Sequence, residues 1–229
     1  MYPPFGGAGP YGTYANLGLF GALVAYGSLD LTVQSPPQTF DEPLSLSDVQ
    51  AYLRIPNSML EAQSNTLEVF ISAAREQAEI LQGRDLVTKQ WDISFDYWPS
   101  YQVQLRPNLV SVDLAQYTDN NGVVTPLVEG QNGDYVVDYT KQPGILSPPY
   151  NATWPSFTPW PTGAILIRFT AGIASNAAYW SDAGARVKIG MQLLISQWFS
   201  GRLPFGAKVE EFPYAVTSCL SYGQVPRAK

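Results

Sequence analysis

The sequence has 229 residues, with no histidine and a single cysteine, Cys219. Histidine is the commonest general base and the commonest metal ligand, so its absence removes both of these and every serine–histidine or cysteine–histidine catalytic triad. A single cysteine excludes an intrachain disulfide and a CxxC metal motif, and is typical of a small apolar core residue. We therefore expect a protein that is not an enzyme and that binds no metal or other cofactor.

Charge is also scarce. Charged residues make up only 14% of the chain, whereas hydrophobic residues make up 45%. A soluble domain usually carries about a quarter charged residues, so we expect neighbouring proteins to cover much of the surface. The formal net charge is −6. No basic segment of the kind that binds nucleic-acid phosphates is visible, and we expect no tight binding of nucleic acid.

The first 53 residues contain no lysine or arginine, so the charged start of a signal peptide is lacking. The apolar run at residues 17–29 is 13 residues long, which is too short to span a bilayer. We expect synthesis in the cytoplasm and no membrane association.

Residues 1–43 are rich in glycine, proline and tyrosine and contain three charges. Proline and glycine interrupt regular structure, so this segment is predicted to be an extended N-terminal arm. Its apolar content is too high for a solvated linker, and we expect it to pack on a neighbouring subunit or on its own body. The GxGxxG pattern at residues 7–12 has no strand before it and no helix after it, which argues against a nucleotide site.

Residues 44–83 follow a helical period. Ser45 and Asp48 predict the start of a short helix that Pro56 and Asn57 end. A longer helix is predicted at residues 60–82, with Gly83 as its C-cap. Its apolar stripe consists of Leu67, Phe70, Ile71, Ala74, Ala78 and Leu81. Four charged residues are predicted to lie mostly off this stripe: Glu68, Arg75, Glu76 and Glu79.

The period changes to two in residues 86–175, which we call the β block. Strands are predicted at residues 89–98, 101–105, 110–118, 123–128, 135–139 and 165–171. Asn121-Gly122 predicts a hairpin turn. The connections are too short for crossover helices, so one antiparallel sheet is expected.

A second helical period begins near Ser181 and ends at Gly201, and a tail with a short helix up to about Tyr222 follows. The predicted class is α+β, with the N- and C-terminal helices packed together around an inserted antiparallel β-sheet block. The expected organisation is an arm at 1–43 and a domain at 44–229. The domain consists of helices at 44–83, the β block at 86–175, and a C-terminal helix and tail at 181–229.

Several strings, in this order, resemble the head–tail connector family of tailed phages, also called adaptor or head-completion proteins. Residues 44–55 (LSLSDVQAYLRI) resemble its opening helix, and residues 70–99 its long helix, Gly-Arg turn and strand beginning Val-Thr-x-x-Trp. Residues 163–173 (GAILIRFTAGI) resemble its last strand, and residues 187–199 and 203–214 its closing helix and tail. The resemblance covers residues 44–222, so the arm lies outside it.

This resemblance implies a virion structural protein at the head–tail interface. Copies would form a homo-oligomeric ring, usually of twelve, below the portal protein. The ring would extend the channel through which genome DNA passes without specific binding, and would dock a downstream stopper or tail protein. A gene transfer agent, which is a phage-derived particle, would use the same subunit.

In the family the C-terminal segment commonly reaches the portal. The resemblance therefore suggests Phe205, Phe212 and Tyr214 as candidate interface residues, because aromatic side chains bury a large area at low entropic cost. Leu19, Phe20 and Leu23 of the arm are further candidates. The alternative that these side chains only close the subunit's own core stays open.

Residues 85–138 contain eight acidic and two basic residues, and residues 168–229 contain seven basic and three acidic residues. Acidic faces could line a DNA channel. We favour a different interpretation over the channel hypothesis. In it, four aspartates form the solvent side of a sheet: Asp92, Asp96, Asp113 and Asp119.

Two other functions remain open. Six tryptophans and fourteen tyrosines would suit a carbohydrate- or surface-binding module of a virion, although such modules are usually β-sandwiches without enclosing helices. The second open function is that of another neck component, such as a stopper or tail-completion protein. For an enzyme the sequence offers no nucleophile–base pair.

Overall fold

The computed structural model describes residues 32–33, 41–99, 101–201 and 214–225. In these residues four α-helices surround one core and eight strands form two antiparallel sheets around a second. The mixed helix-and-sheet class predicted above is confirmed.

The helices are α1 (Leu46–Leu53), α2 (Asn57–Gln82), α3 (Ala183–Ser200) and α4 (Tyr214–Leu220), with a 3-10 helix at Ala178–Ser181 before α3. Ser45 caps α1 as predicted. Its hydroxyl accepts a hydrogen bond from the Asp48 backbone N–H at 3.1 Å, and the Asp48 carboxylate accepts from the Ser45 N–H at 3.0 Å. The Asp48 carboxylate also accepts a hydrogen bond from the Ser45 hydroxyl at 2.7 Å, and this bond together with the one from the Ser45 N–H lowers the pKa of Asp48.

Helix α2 begins three residues before the predicted start. Arg54 ends α1 in the left-handed conformation and Pro56 occupies the N-cap position of α2. A proline beside a helix N-terminus needs no N–H donor there, so it starts this helix as well as separating it from α1. Gly83, at φ 71°, is the C-cap as expected.

The four charged residues of α2 that were predicted to lie off its apolar stripe differ in exposure. Glu68 and Glu76 are exposed, but Arg75 and Glu79 are buried. The cause is tertiary, because cations and anions from three other segments meet this side of the helix.

The larger sheet has the strand order β1-β2-β8-β4-β5. Its strands are β1 (Thr32–Val33), β2 (Lys89–Phe95), β4 (Leu109–Thr118), β5 (Val124–Pro126) and β8 (Ile165–Ala171). Strand β8 is central and pairs along its whole length with β2. Two register shifts, between Leu109 and Ser111 and between Val112 and Leu114, interrupt the regular pairing of β4 with β8. The predicted hairpin joins β4 to β5, with Gly122 at φ 80°.

The smaller sheet, which has the order β3-β7-β6, corrects the expectation of one sheet. It consists of β3 (Val103–Gln104), β6 (Val136–Asp138) and β7 (Ile145–Ser147). Strand β7 has only three residues, which is too few to establish an alternating pattern, so the sequence did not predict it.

The helices and the β block bury separate sets of apolar side chains. The helical core includes Leu67, Ile71, Val187, Met191 and Leu194. The β core includes Ile93, Phe95, Leu146, Ile167 and Phe169. The N- and C-terminal helices do pack together, as predicted, because α2, α3 and α4 share the first core.

Candidate assembly interface

Of the six predicted interface residues, only Tyr214 lies within the described residues. It is the first residue of α4 and is 88% exposed, so it does not close the subunit's own core. Leu19, Phe20, Leu23, Phe205 and Phe212 lie outside the described residues.

Helix α4 is held against the body by apolar packing. Val216 and Leu220 are buried, and α4 lies so close to α3 that a Cβ on Gly190 would come within 2.7 Å of a Leu220 methyl carbon. Gly190 therefore permits the close approach of the two helices. One side of α4 is fixed on the core, while Tyr214 at its start stays exposed.

Gln82, at the end of α2, also holds α4 in place, and no pattern in the sequence predicted this role. Its fully buried side-chain amide donates to the Leu220 carbonyl at 2.6 Å and to the Tyr222 carbonyl at 2.8 Å. These carbonyls belong to the last turn of α4 and the residues after it, where helix carbonyls need outside donors. The amide oxygen accepts from the Arg84 guanidinium at 2.7 Å. We call Gln82 and Arg84 the C-terminal clamp.

A buried ionic network joins the helices to the β block. Glu79 is its centre and accepts hydrogen bonds from Arg75 at 2.9 Å, from the Lys89 ammonium at 2.6 Å and from the Leu86 N–H at 3.0 Å. Asp85, whose side chain is 1% exposed, accepts two hydrogen bonds from the Arg106 guanidinium, at 2.6 and 2.9 Å.

The network also contacts Glu42, at the C-terminal end of the segment predicted to be an arm. Arg75 Nε donates to the Glu42 carboxylate at 3.0 Å, and the Ser72 hydroxyl donates to the same carboxylate. Glu42, Glu79 and Asp85 thus supply three negative charges opposite the positive charges of Arg75, Lys89 and Arg106. The sequence signal that could have revealed part of it is the Arg75–Glu79 spacing of four on one helix.

The acidic residues of the larger sheet are engaged within the chain. Asp92 on β2 forms a two-pronged ion pair with Arg168 on β8, at 2.9 and 3.0 Å, and this hydrogen bonding raises the pKa of Arg168. Asp119 accepts from the N–H groups of Asn121 and Val123 in the hairpin turn.

The Asp113 carboxylate also accepts hydrogen bonds from within the chain. Burial opposes its ionisation, but hydrogen bonds from Ser111, Thr170 and Gln90 together outweigh burial and lower its pKa. Asp92, Asp113 and Asp119 thus each have a hydrogen-bonding role within the sheet or its hairpin turn.

An aromatic cluster lies in two loops of the β block. Trp98 and Trp154 stack face to face, with ring centroids 4.4 Å apart and planes 5° apart, and both pack on the β core. Tyr97, Tyr101 and Tyr150 in the same loops are 73%, 69% and 89% exposed. The indole N–H groups of both tryptophans are buried and have no hydrogen-bond acceptor within the described residues. We call these five residues the aromatic cluster.

Over the described ranges, no group of three or more His, Cys, Asp or Glu side chains is placed to hold a metal ion. In the same part of the chain, no helix has the length and hydropathy to cross a membrane.

Three solved structures of gene transfer agent particles contain chains with a similar fold. A chain in the neck of an empty gene transfer agent particle, computed with C6 symmetry, aligns with a TM-score of 0.65 at 18% identity, covering 87% of this chain and 97% of that one. A chain in the virion of a native particle gives 0.64 at 16% identity, covering 88% and 98%. A chain in the neck of a native particle, computed with C12 symmetry, gives 0.56 at 19% identity, covering 84% and 98%.

No protein-family model matches the sequence, and no curated protein matches it. At these identities the three likenesses establish a common fold. That fold extends over nearly the whole of the gene transfer agent chains.

Proposed function

We propose that this chain is a structural subunit of the neck of a phage-like particle, and that it works as a head–tail adaptor. Copies form a ring of twelve below the portal protein, extend the DNA channel, and dock a stopper or tail protein. DNA passes through without specific binding. Residues 44–229 form the connector domain and residues 1–43 an arm.

One observation carries this proposal. Chains from necks computed with C6 and C12 symmetry share this fold over 97% and 98% of their own length. Both symmetries suit a ring of repeated subunits, and a cyclic ring needs two different surfaces on each subunit that fit one another. The low share of charged residues, 14%, suits a subunit whose surface is largely covered by neighbours.

The position of Tyr214 supports a partner contact near the C-terminus. A tyrosine that is 88% exposed at the start of a firmly docked helix is available to another protein. We propose that Tyr214, together with the preceding residues Phe205 and Phe212, contacts the portal. The C-terminal clamp would then transmit force between the portal and the body of the subunit.

Cryo-electron microscopy of particles that contain this chain tests the proposal. The expected result is a ring of this chain directly below the portal. Density at a fibre tip or on the capsid surface, with none in the neck, would contradict it. Tyr214→Ala should reduce incorporation of the chain into particles. Tyr52→Ala on α1, where the tyrosine is 41% exposed, is the matched control and should assemble normally.

The aromatic cluster favours a second candidate function, a surface-binding module. Exposed tyrosines beside tryptophans are the side chains on which sugar rings stack. Retention of the purified chain on polysaccharide beads, abolished by Tyr97→Ser, would support this function in place of the adaptor role.

A further inference from the structure

We infer that an exposed face of α2 binds the exposed face of α3 in a second copy of this chain. The α2 surface, which we call the acidic face, consists of Asn65, Glu68, Val69, Ser72, Ala73 and Glu76. The α3 surface, which we call the basic face, consists of Arg186 and Ile189. This inference rests on the proposed ring, and it names the two different surfaces that a head-to-tail ring requires of each subunit.

The acidic face has the shape of a surface on which another helix can pack. Its residues recur at intervals of three and four, so they lie on one side of α2. Val69 is 65% exposed. The small side chains of Ser72 and Ala73 are half-buried and line a shallow groove beside it. Small side chains next to an exposed valine let a second helix approach closely and bury apolar surface.

The two helices differ in the sign of their charge. Helix α2 contains four acidic residues and one basic residue, whereas α3 contains two basic residues and no acidic residue. The one cation of α2, Arg75, is buried and hydrogen-bonded to Glu42 and Glu79. Its Nη2 lies 3.7 Å from the Glu76 carboxylate, but the Glu76 side chain is 66% exposed and Glu68 is also exposed. The acidic face therefore presents negative charge to the solvent.

The basic face carries the opposite charge beside an apolar side chain. Arg186 is exposed, and its guanidinium lies over the Tyr222 ring, 4.1 Å from the centroid. A guanidinium that stacks through its plane keeps its N–H groups at its edges, where they can donate to a carboxylate. Ile189, one turn further along α3, is 49% exposed. Each surface thus combines charge with an exposed aliphatic side chain, and the two charges are of opposite sign.

The two faces lie on the far sides of the helix pair, which favours a second copy as the partner. The core through which the helices pack includes Leu67 and Ile71 of α2 and Val187 and Met191 of α3. Val69 stands two residues from both buried residues of α2, and Ile189 stands two residues from both of α3. At about 100° per residue, each exposed side chain points about 160° away from its buried neighbours. A subunit therefore cannot cover its acidic face with its own α3, whereas the next subunit of a ring can.

Charge reversal in the purified full-length chain tests the inference. Glu68→Arg and Arg186→Glu each bring like charges together at every contact, so we expect each to weaken assembly by about tenfold or more. Mass photometry over a concentration series measures the assembly, and circular dichroism checks that each variant is folded. An equimolar mixture of the two variants should assemble like the wild type. In a ring of alternating variants every contact again joins opposite charges, and mixing could not rescue a misfolded variant.

Glu129→Arg and Lys141→Glu are the matched controls, because both residues are exposed but belong to the β block. They make the same changes in net charge away from α2 and α3, and should assemble like the wild type. Equal losses in these controls would assign the effect to net charge and overturn the inference. Failure of the mixture to assemble, with both variants folded, would overturn it as well.

Two further outcomes separate this inference from the proposed function. Rings formed equally well by the wild type, Glu68→Arg and Arg186→Glu would overturn the contact between α2 and α3 and leave the adaptor proposal standing. A wild-type chain that stays monomeric throughout the concentration series would also overturn this contact. Cryo-electron microscopy that shows no copy of this chain in the particle neck would overturn the adaptor proposal.

Discussion

Residues 75–89, which lead from α2 into β2 and which we call the junction, differ from the two cores in the kind of contact that stabilises them. Both cores are filled by apolar side chains. In the described residues all five buried polar or charged side chains lie between positions 75 and 89: Arg75, Glu79, Gln82, Asp85 and Lys89. The cores are thus stabilised by non-directional apolar contacts, whereas the junction is stabilised by hydrogen bonds with defined partners. Directional contacts with defined partners fix the orientation of the helices relative to the β block.

Breaking the centre of the junction should have the largest effect. Glu79→Gln removes one of three negative charges that balance three cations, and leaves Arg75 and Lys89 with less compensation in a buried site. We expect a loss of about 3–5 kcal/mol in the free energy of unfolding, measured by urea denaturation. Glu68→Gln is the control, because Glu68 on the same helix is exposed, and should cost well under 1 kcal/mol. Equal losses in the two variants would show that the network is not selectively important.

The β block depends on backbone shape at the end of β8. Gly172 has φ 127°, and a Cβ there would lie 2.0 Å from the Val87 carbonyl oxygen. Gly172→Ala should therefore destabilise the protein by about 3 kcal/mol, since both the conformation and the contact are unfavourable.

Gly163 is the matched control position for Gly172, and thermal unfolding of the two alanine variants compares them. It also has a positive φ, 60°, but a Cβ there would meet nothing within 4 Å. Gly163→Ala should cost only about 1 kcal/mol, the backbone part alone. A similar decrease in Tm for both variants would mean that the Val87 contact is not responsible.

Disrupting the C-terminal clamp should have an intermediate effect on stability, and its effect on hydrogen exchange should be confined to the helices. Gln82→Ala leaves the carbonyls of Leu220 and Tyr222 without their side-chain donors. We expect a loss of about 1–3 kcal/mol and faster amide hydrogen exchange in α4 with little change in β8. The exposed Gln224 is the control, and Gln224→Ala should change neither quantity. Equally increased exchange in β8 would indicate global unfolding in place of local release.

The smallest effect is expected on the surface of the larger sheet. Hydrogen bonds from Ser111, Thr170 and Gln90 outweigh burial and keep the folded pKa of Asp113 below its ordinary value of 3.8. The folded state therefore binds this proton less readily than the unfolded state. Its contribution to stability is present above the unfolded pKa and is lost as the pH falls through the folded pKa.

Asp113→Asn should accordingly make the decline in stability below about pH 5 shallower by a few tenths of a kcal/mol. Urea denaturation at a series of pH values measures this. Thr170→Val, which removes one of the donors, should reproduce part of the change. A steeper decline in the Asn variant would contradict the sign.

Much of the helical architecture and the class of the fold follow from the sequence. The Ser45 cap, the Gly83 end of α2, the apolar stripes of α2 and α3, strand β8 and the hairpin at Gly122 all depend on local periodicity or on one residue's conformational preference. The candidate interface was predicted from a family resemblance, and of its six residues only the exposed position of Tyr214 is described.

Tertiary structure alone decided the rest. Arg75 and Glu79 are buried because Glu42, Asp85, Lys89 and Arg106 converge from other segments, and no window of sequence contains all of these partners. The two donor bonds of Gln82 reach residues 138 and 140 positions away along the chain. The stacking of Trp98 on Trp154 likewise joins two loops that are distant in sequence. A local pattern records which face of an element is apolar, whereas the choice of polar partners depends on which distant segments the folded chain brings together.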